Sequence, residues 1–314
     1  MNQEYGLSNY KKIRKDQLKR WIEFFHERFE PLSHILMILM FVSAHFFVVK
    51  ASRFIIFEPI QLIWVALGTT CFFFKLRCYD EIKDYEVDLD KNPNRPLPRG
   101  LIQHFDLKKA IENCIVLEII FFASCGLPGL VAILIAIGYS LLMYREFFIG
   151  EHIRPHLTTY ATSHTVVTFF LSLAIFSAMG RFYLWSLDHD FYYFAFMSWL
   201  LFNIFELGRK IYQPCEEREG VPTYSNIWGK GGAVLLIFVH AILVSLSSLY
   251  ISTIDFFFMQ TFMAINLGLL GIIGLLYFFD NKPRTGKLLR IYSSLYIVII
   301  YGGILFNYIK RQWM

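Results

Sequence analysis

Apolar segments of about twenty residues follow one another along almost the whole chain, and this repetition limits what the chain can fold into. About 20 consecutive apolar residues let a helix cross the hydrocarbon core of a bilayer. Of the 314 residues, 56% are hydrophobic and only 18% are charged, which nearly excludes a water-soluble enzyme. The nine segments lie at 32–51, 58–77, 107–125, 128–146, 160–179, 190–208, 231–250, 256–279 and 290–308.

The segments predict an all-α membrane protein with about nine transmembrane helices in a single bundle. Each is continuously apolar and rich in Leu, Ile and Phe, whereas the strands of a membrane barrel alternate. We expect an N-terminal amphipathic or polybasic segment over 1–30 and a transmembrane domain over 31–314. Within 10–30, residues such as Trp21 and Phe25 interleave with basic ones. This pattern is typical of an interfacial helix, and a polybasic orientation signal explains it equally well.

Basic residues gather in some loops and leave others nearly free of them. The positive-inside rule places the N-terminus and the long or basic loops in the cytoplasm, and a bacterial inner membrane is the expected location. The basic residues form no stripe, so membrane lipids are expected partners and nucleic acid is not. The five cysteines are scattered without metal-ligand spacing. The loops on the cytoplasmic side are the N-terminal arm, 80–105, 145–158, 209–230 and 280–290.

The loop after the second segment places four carboxylates and one arginine on one face of a helix, provided that the helix continues past the membrane. Carboxylates this close repel one another unless a cation neutralises them, and hard oxygen ligands suit Mg²⁺. Arg95 and Arg99, in the proline-rich stretch that follows, can return to the same place and bind oxyanions. The pattern therefore predicts a magnesium and diphosphate site. The residues on this face are Arg77, Asp80, Glu81, Asp84 and Asp88.

A second charged cluster, Glu206, Arg209, Lys210 and Gln213, follows the sixth segment with similar helical spacing. Glu206 lies inside an apolar segment, where an ionisable group is costly and is a functional candidate by default. A plain ion pair between Glu206 and Arg209 or Lys210 is the alternative. Both clusters are predicted on the cytoplasmic side, where a bundle can bring them face to face around one pocket.

At these residues the chain resembles the UbiA superfamily of intramembrane prenyltransferases. The first aspartate-rich motif of that family is commonly Asn-Asp-x-x-Asp-x-x-x-Asp, followed by a run ending in Arg-Pro-Leu-x-x-Gly. Here Asp-Glu replaces the opening Asn-Asp, which keeps oxygen ligands throughout. The stretch from Gly220 to Gly229, which includes Tyr224, resembles the segment after the family's second motif. The matching residues of the first motif are Asp80, Glu81, Asp84, Asp88, Arg95, Pro96, Leu97 and Gly100.

The second motif, normally Asp-x-x-x-Asp, departs from the family pattern. Tyr212 and Glu216 stand at its positions, so one carboxylate is missing. Two explanations stay open. Either Glu216 or Glu217 binds metal together with Glu206, or Arg209 and Lys210 replace one metal by contacting the diphosphate directly.

The resemblance implies an enzyme that ionises an isoprenyl diphosphate with Mg²⁺ in a central cavity, transfers the prenyl group to an aromatic or other lipophilic acceptor, and releases pyrophosphate. The implied metal ligands are Asp80, Glu81, Asp84, Asp88, Glu206 and Glu216. The expected diphosphate ligands are Arg77, Arg95, Arg145, Arg209, Lys210 and Tyr224. Asp84, Asp88 and Lys210 are the expected catalytic residues, and His164 is a candidate acceptor contact, with a helix-end histidine whose hydrogen bonds are satisfied as the alternative.

Two other classes of protein compete with the transferase. A terpene cyclase of the same superfamily captures the cation with a double bond of its own substrate and needs no acceptor. A transporter requires charges near the membrane midplane and matched broken helices, whereas the charges of this chain gather at one face.

Overall fold

The computed structural model describes residues 17–52 and 59–313, and every regular element in these ranges is a helix, as the sequence predicts. Positions 17–24 are helical and continue into a π-helical turn at Phe25–Phe29. Short helical turns connect several of the longer helices. The longer helices are α1 (Pro31–Ser52), α2 (Pro59–Lys83), α3 (Tyr85–Lys91), α4 (His104–Ala123), α5 (Leu127–Tyr144), α6 (Leu157–Thr165), α7 (Val167–Gly180), α8 (His189–Gly208), α9 (Tyr224–Ser248), α10 (Phe256–Phe279) and α11 (Pro283–Trp313).

Eight helical segments of the described chain are long and apolar enough to cross a membrane, and one of them joins α6 and α7 over Leu157–Gly180. The others are α1, α2, α5, α8, α9, α10 and most of α11. The remaining predicted segment, 107–125, also folds as a helix, α4. Charged residues such as Lys108, Lys109 and Glu112 keep α4 outside the apolar set.

The chain divides into two compact units. The first contains the described residues up to Ile38 together with Leu67–Ile120, and the second contains Leu39–Ala66 and the residues from Phe121 onward. Three helices, α1, α2 and α4, pass from one unit into the other along the chain.

Helix packing in the second unit centres on α8, which contacts α7, α9 and α11, while α5 packs on α7 and α10 packs on α9 and α11. Most of α7 is buried. A fully buried histidine, His45, lies among these helices. Its Nδ1–H donates to the carbonyl oxygen of Phe41 at 2.7 Å, and the hydroxyl of Ser172 donates to its Nε2 at 2.5 Å. The backbone carbonyl can only accept, so Nδ1 carries a proton, and in the neutral imidazole Nε2 then accepts from Ser172.

The N-terminal helix packs against α2 in the first unit. Rings of Trp21, Phe24, Phe25 and Phe29 surround the ring of Phe74, with centroids 5.5–6.4 Å apart. Phe24 and Phe29 are completely buried, so part of the apolar face that the sequence predicts for 10–30 covers protein, while Leu18 and Ile22 are exposed. Residues 10–16 of that segment lie outside the described residues.

A buried ion pair joins α2 to α4 in the same unit. The ammonium of Lys75 lies 2.6 Å from Oε2 of Glu118, and both side chains are completely buried. The ammonium also lies 4.2 Å from the centre of the Phe72 ring, a cation–π distance. The second carboxylate oxygen of Glu118 has no hydrogen-bond partner among the described residues.

Candidate active site

The carboxylates of the first motif lie along an almost continuous helical path, as their spacing predicts. Asp80 and Glu81 are in the last turn of α2, Asp84 is the N-cap of α3, and Asp88 lies within α3. Backbone bonds from Asp84 to Asp80 (2.9 Å) and from Asp88 to Asp84 (2.8 Å) continue the i to i−4 pattern across the junction. The stripe therefore exists in the folded chain.

Glu81 is buried and interacts with two guanidinium groups. Nε of Arg28 donates to its Oε1, and Nη2 of Arg77 lies 3.3 Å from the same oxygen. Two polar atoms of this cluster have no hydrogen-bond partner within the described chain, Oε2 of Glu81 and Nε of Arg77. The first is an acceptor that suits a cation, and the second is a donor that suits an anion.

Asp88 is also buried and is held by the loop that follows α3. Nη1 of Arg95 lies 2.6 Å and 2.5 Å from its two oxygens, and Nδ2 of Asn92 donates at 2.9 Å. Arg95 therefore returns to the carboxylate stripe, as the proline-rich sequence predicts.

Asp80 and Asp84 are exposed to solvent. Partial loss of water contact, followed by repulsion from the carboxylates of Asp80 and Asp88, raises the pKa of Asp84 to about 6. A carboxylate crowded in this way gains from a nearby cation.

These residues fit Mg²⁺ by the chemistry of the donor set. Asp80 and Asp84 offer carboxylates to solvent, and Glu81 has a buried oxygen without a partner. No group of three or more His, Cys, Asp or Glu side chains in the described ranges converges as a complete metal cage. Mg²⁺ typically takes one or two protein carboxylates, with waters and substrate phosphate oxygens as its other ligands, so a complete cage is not required.

The second cluster lies in the second unit and contains the ion pair that the sequence left as an alternative. Glu206 accepts from Nε of Arg209 at 2.5 Å and lies 3.1 Å from Nζ of Lys210. The backbone N–H of Tyr224 donates to the carbonyl oxygen of Lys210 at 3.1 Å. The hydroxyl of Tyr224 is buried and has no hydrogen-bond partner among the residues described, so it remains available to a bound oxyanion. That this cluster faces the first one across a pocket stays a prediction.

The loop at the second motif is held by its own carboxylates. Glu216 accepts from Nη1 and Nη2 of Arg290 at 3.0 and 2.7 Å and from the backbone N–H of Gln213 at 3.0 Å. The hydrogen bonds from Arg290 hold the pKa of Glu216 below its ordinary value. Glu217 accepts from the hydroxyls of Thr223 and Ser225 at 2.8 and 2.6 Å. A metal-binding role for Glu216 stays a prediction, and its contacts in the folded chain hold the loop to α11.

Arg145 is exposed where α5 ends, directly before a turn, Glu146–Phe148, whose three residues all have positive φ (51, 55 and 59°). Glu146 accepts from Nε of Arg154 at 2.7 Å and from the Tyr160 hydroxyl at 3.3 Å. His164 donates from Nδ1 to the carbonyl oxygen of Tyr160 at 2.6 Å, and the two rings stack at 3.9 Å. Binding of diphosphate by Arg145 and of acceptor by His164 stay predictions.

Sequence reasoning missed Arg28 and Arg290 as contacts of the two motifs. Both belong to basic stretches for which orientation in the membrane was a sufficient explanation. The available signal for Arg28 was its place among aromatic residues, since an arginine on a packed helix face needs a nearby anion. Lys75 and Glu118 were a clearer omission, because charged residues within apolar segments are functional or structural candidates by default.

The fold and the two charged clusters define a multi-pass integral membrane protein with the architecture of known intramembrane prenyltransferases. A solved structure described as digeranylgeranylglyceryl phosphate synthase superposes with a TM-score of 0.63 and 15% identity, over 92% of this chain and 99% of that one. A UbiA homologue from Aeropyrum pernix K1 also superposes with a TM-score of 0.63, at 14% identity, over 87% and 98% of the two chains. A search of curated proteins gives no match.

The sequence matches the UbiA prenyltransferase family over residues 36–295, and the chain belongs to that family. It is accordingly a prenyltransferase that releases diphosphate. The family implies a prenyl diphosphate substrate and is typically Mg²⁺-dependent. The resemblance found in the aspartate-rich motif is thereby confirmed.

Proposed function

We propose that the chain ionises an isoprenyl diphosphate at the first motif and transfers the prenyl group to an aromatic or other lipophilic acceptor within the membrane. The different surroundings of the four carboxylates of the motif support this proposal. Arginines form close ion pairs with the buried Glu81 and Asp88, while Asp80 and Asp84 face solvent and repel each other, and Arg77 comes no closer than 3.8 Å to Asp80. Asp80 and Asp84 are the residues that would hold Mg²⁺, which typically takes only one or two protein carboxylates.

When bound, Mg²⁺ supplies Lewis-acid stabilisation of the pyrophosphate leaving group. The chain's own residues then orient that group. Arg77 and Arg95 are fixed against buried carboxylates, so their remaining N–H groups are positioned before the substrate arrives. In the second unit, Arg209, Lys210 and the buried hydroxyl of Tyr224 stay candidate diphosphate ligands.

The test is pyrophosphate release by the purified full chain in liposomes, with Mg²⁺ and geranyl, farnesyl or geranylgeranyl diphosphate. We expect little release until a quinone precursor or a lipid extract is added, and loss of release in Asp84→Ala. Asp90→Ala is the matched control, because Asp90 lies in the same short helix with its side chain 74% exposed. Release accompanied by a hydrocarbon or terpene alcohol without any acceptor would favour the cyclase. Full activity in Asp84→Ala would contradict the proposed metal site.

A further inference from the structure

Arg28 of the N-terminal helix reaches the first motif from a distant part of the sequence. It donates from Nε to Glu81, 53 residues away, and its side chain is only 14% exposed. No hydrogen bond from its two Nη groups to another residue of the described chain is present. One face of this guanidinium is thus anchored, and its terminal nitrogens remain available.

Three guanidinium groups and four carboxylates meet at the first motif, and Arg77 also lies 3.8 Å from Asp80. The guanidiniums of Arg28, Arg77 and Arg95 gather around two buried carboxylates, Glu81 and Asp88. Guanidinium groups match phosphate oxygens in geometry, so the terminal nitrogens of Arg28 suit a phosphate group.

A cavity of about 420 Å³ lies between the N-terminal helix and the loop after α3. Arg28, Lys91 and Arg95 supply three cations to its wall, Asn92 and Asn94 supply two amides, and Glu27 is the carboxylate in its lining. A concave site walled by cations concentrates phosphate-bearing ligands.

The N-terminal helix is fastened at a second place. Nη2 of Arg99 donates to Glu23 and Glu27 at 2.7 Å each, and Nη1 donates to the other oxygen of Glu27 at 2.8 Å. The hydrogen bonds from Arg99 hold the pKa of Glu27 below its ordinary value, so this carboxylate is charged at neutral pH. Together with the aromatic rings around Phe74, these contacts position Arg28 before any ligand binds.

We propose that Arg28 is a diphosphate-binding residue and that the cavity between the N-terminal helix and the 91–96 loop receives the diphosphate oxygens of the substrate. The proposal rests on the proposed function, since it assigns a further residue to the same site. It also gives the N-terminal helix a role in substrate binding beyond membrane orientation.

The test measures binding of inorganic pyrophosphate to the full chain by calorimetry, first without Mg²⁺ and then with it. We expect Arg28→Gln to weaken binding roughly 10- to 100-fold, the usual effect of losing hydrogen bonds to a charged group. Arg28→Lys should recover part of the loss, because it keeps the charge and loses the planar fork. Lys19→Gln is the matched control, because it removes an exposed charge from the same helix. Equal binding by Arg28→Gln and the unchanged protein would overturn the proposal.

Three further results separate the explanations. Arg28→Gln/Glu81→Gln, measured without Mg²⁺, should still bind weakly, and full recovery would mean that Arg28 acts only by neutralising Glu81. Failure of the unchanged protein to bind pyrophosphate would contradict the proposed function itself. In nanodiscs, competition of phosphatidylglycerol with pyrophosphate in the unchanged protein, and none in Arg28→Gln, would assign the cavity to a lipid phosphate instead of the substrate.

Discussion

Replacing Lys75 by methionine should destabilise the protein far more than an ordinary substitution in a membrane helix. The change leaves the carboxylate of Glu118 buried without its partner at 2.6 Å, and its other oxygen already has none among the described residues. Removing one member of a buried pair typically costs about 3–5 kcal/mol. At about 2–3 °C per kcal/mol, the unfolding midpoint should fall by roughly 6–15 °C.

The opposite substitution, Glu118→Gln, should cost less. The amide oxygen can still accept from the Lys75 ammonium, and the Phe72 ring still faces that ammonium at 4.2 Å. The free energy of unfolding should fall by about 1.5–3 kcal/mol, which is the typical contribution of a hydrogen bond to a charged group. The double variant Lys75→Met/Glu118→Leu removes both charges and should regain most of the stability, because apolar pairs replace buried ion pairs at little cost.

The midpoint is measured by heating the detergent-solubilised protein with a thiol-reactive dye, since the buried Cys78 and Cys114 become reactive only on unfolding. Glu112→Gln is the matched control, because Glu112 is exposed on the same helix. The reasoning is refuted if the double variant is as unstable as Lys75→Met, because the two losses would then not be coupled.

Two more predictions concern the second unit. The folded pKa of Glu216 lies below its ordinary 4.5, so its bond to Arg290 stabilises the protein above that pH and is lost as the pH falls through the lower folded value. The difference between the unfolding midpoints of the unchanged protein and Arg290→Gln should therefore be larger at pH 7 and narrow as the pH falls below 4.5, while the loss of the bond from Arg290 to the carbonyl oxygen of Ile211 persists; a constant difference would contradict this assignment. Gly208→Ala would place a methyl group 2.2 Å from Cβ of Ser293 and should cost about 1–3 kcal/mol by forcing α8 and α11 apart. Adding Ser293→Gly should restore most of the thermal stability, and no rescue would mean that the clash is not the cause.

Much of the fold could be predicted because long apolar segments of the sequence form membrane helices. The segment 107–125 was predicted as one of these runs and folds as the helix α4, although its charged residues keep α4 outside the eight apolar segments. The carboxylate stripe was also predictable, since helical spacing alone determines which of its members share a face. Both are local properties of the sequence.

The contacts missed were long-range pairings of charge. Arg28 and Glu81 are 53 residues apart, Lys75 and Glu118 are 43 apart, and Arg290 and Glu216 are 74 apart. A charge of known sign has many possible partners at such separations, and only the packing of the helices selects one. The same limit applies to the second motif, where composition could not tell that Glu216 bonds to α11.

The turn Glu146–Phe148 restricts how related chains can diverge at four positions. Left-handed backbone costs a non-glycine residue about 1–2 kcal/mol, so three in succession persist only where other contacts hold them. Arg154 and Tyr160 do so through Glu146, and a Cβ at position 150 would lie 2.3 Å from Oε2 of Glu146. Glycine at 150 and the acid at 146 should therefore be inherited together. We expect a related chain without Glu146 to accept a larger residue at position 150. We expect a related chain with glycine at 147 to keep the turn without Arg154.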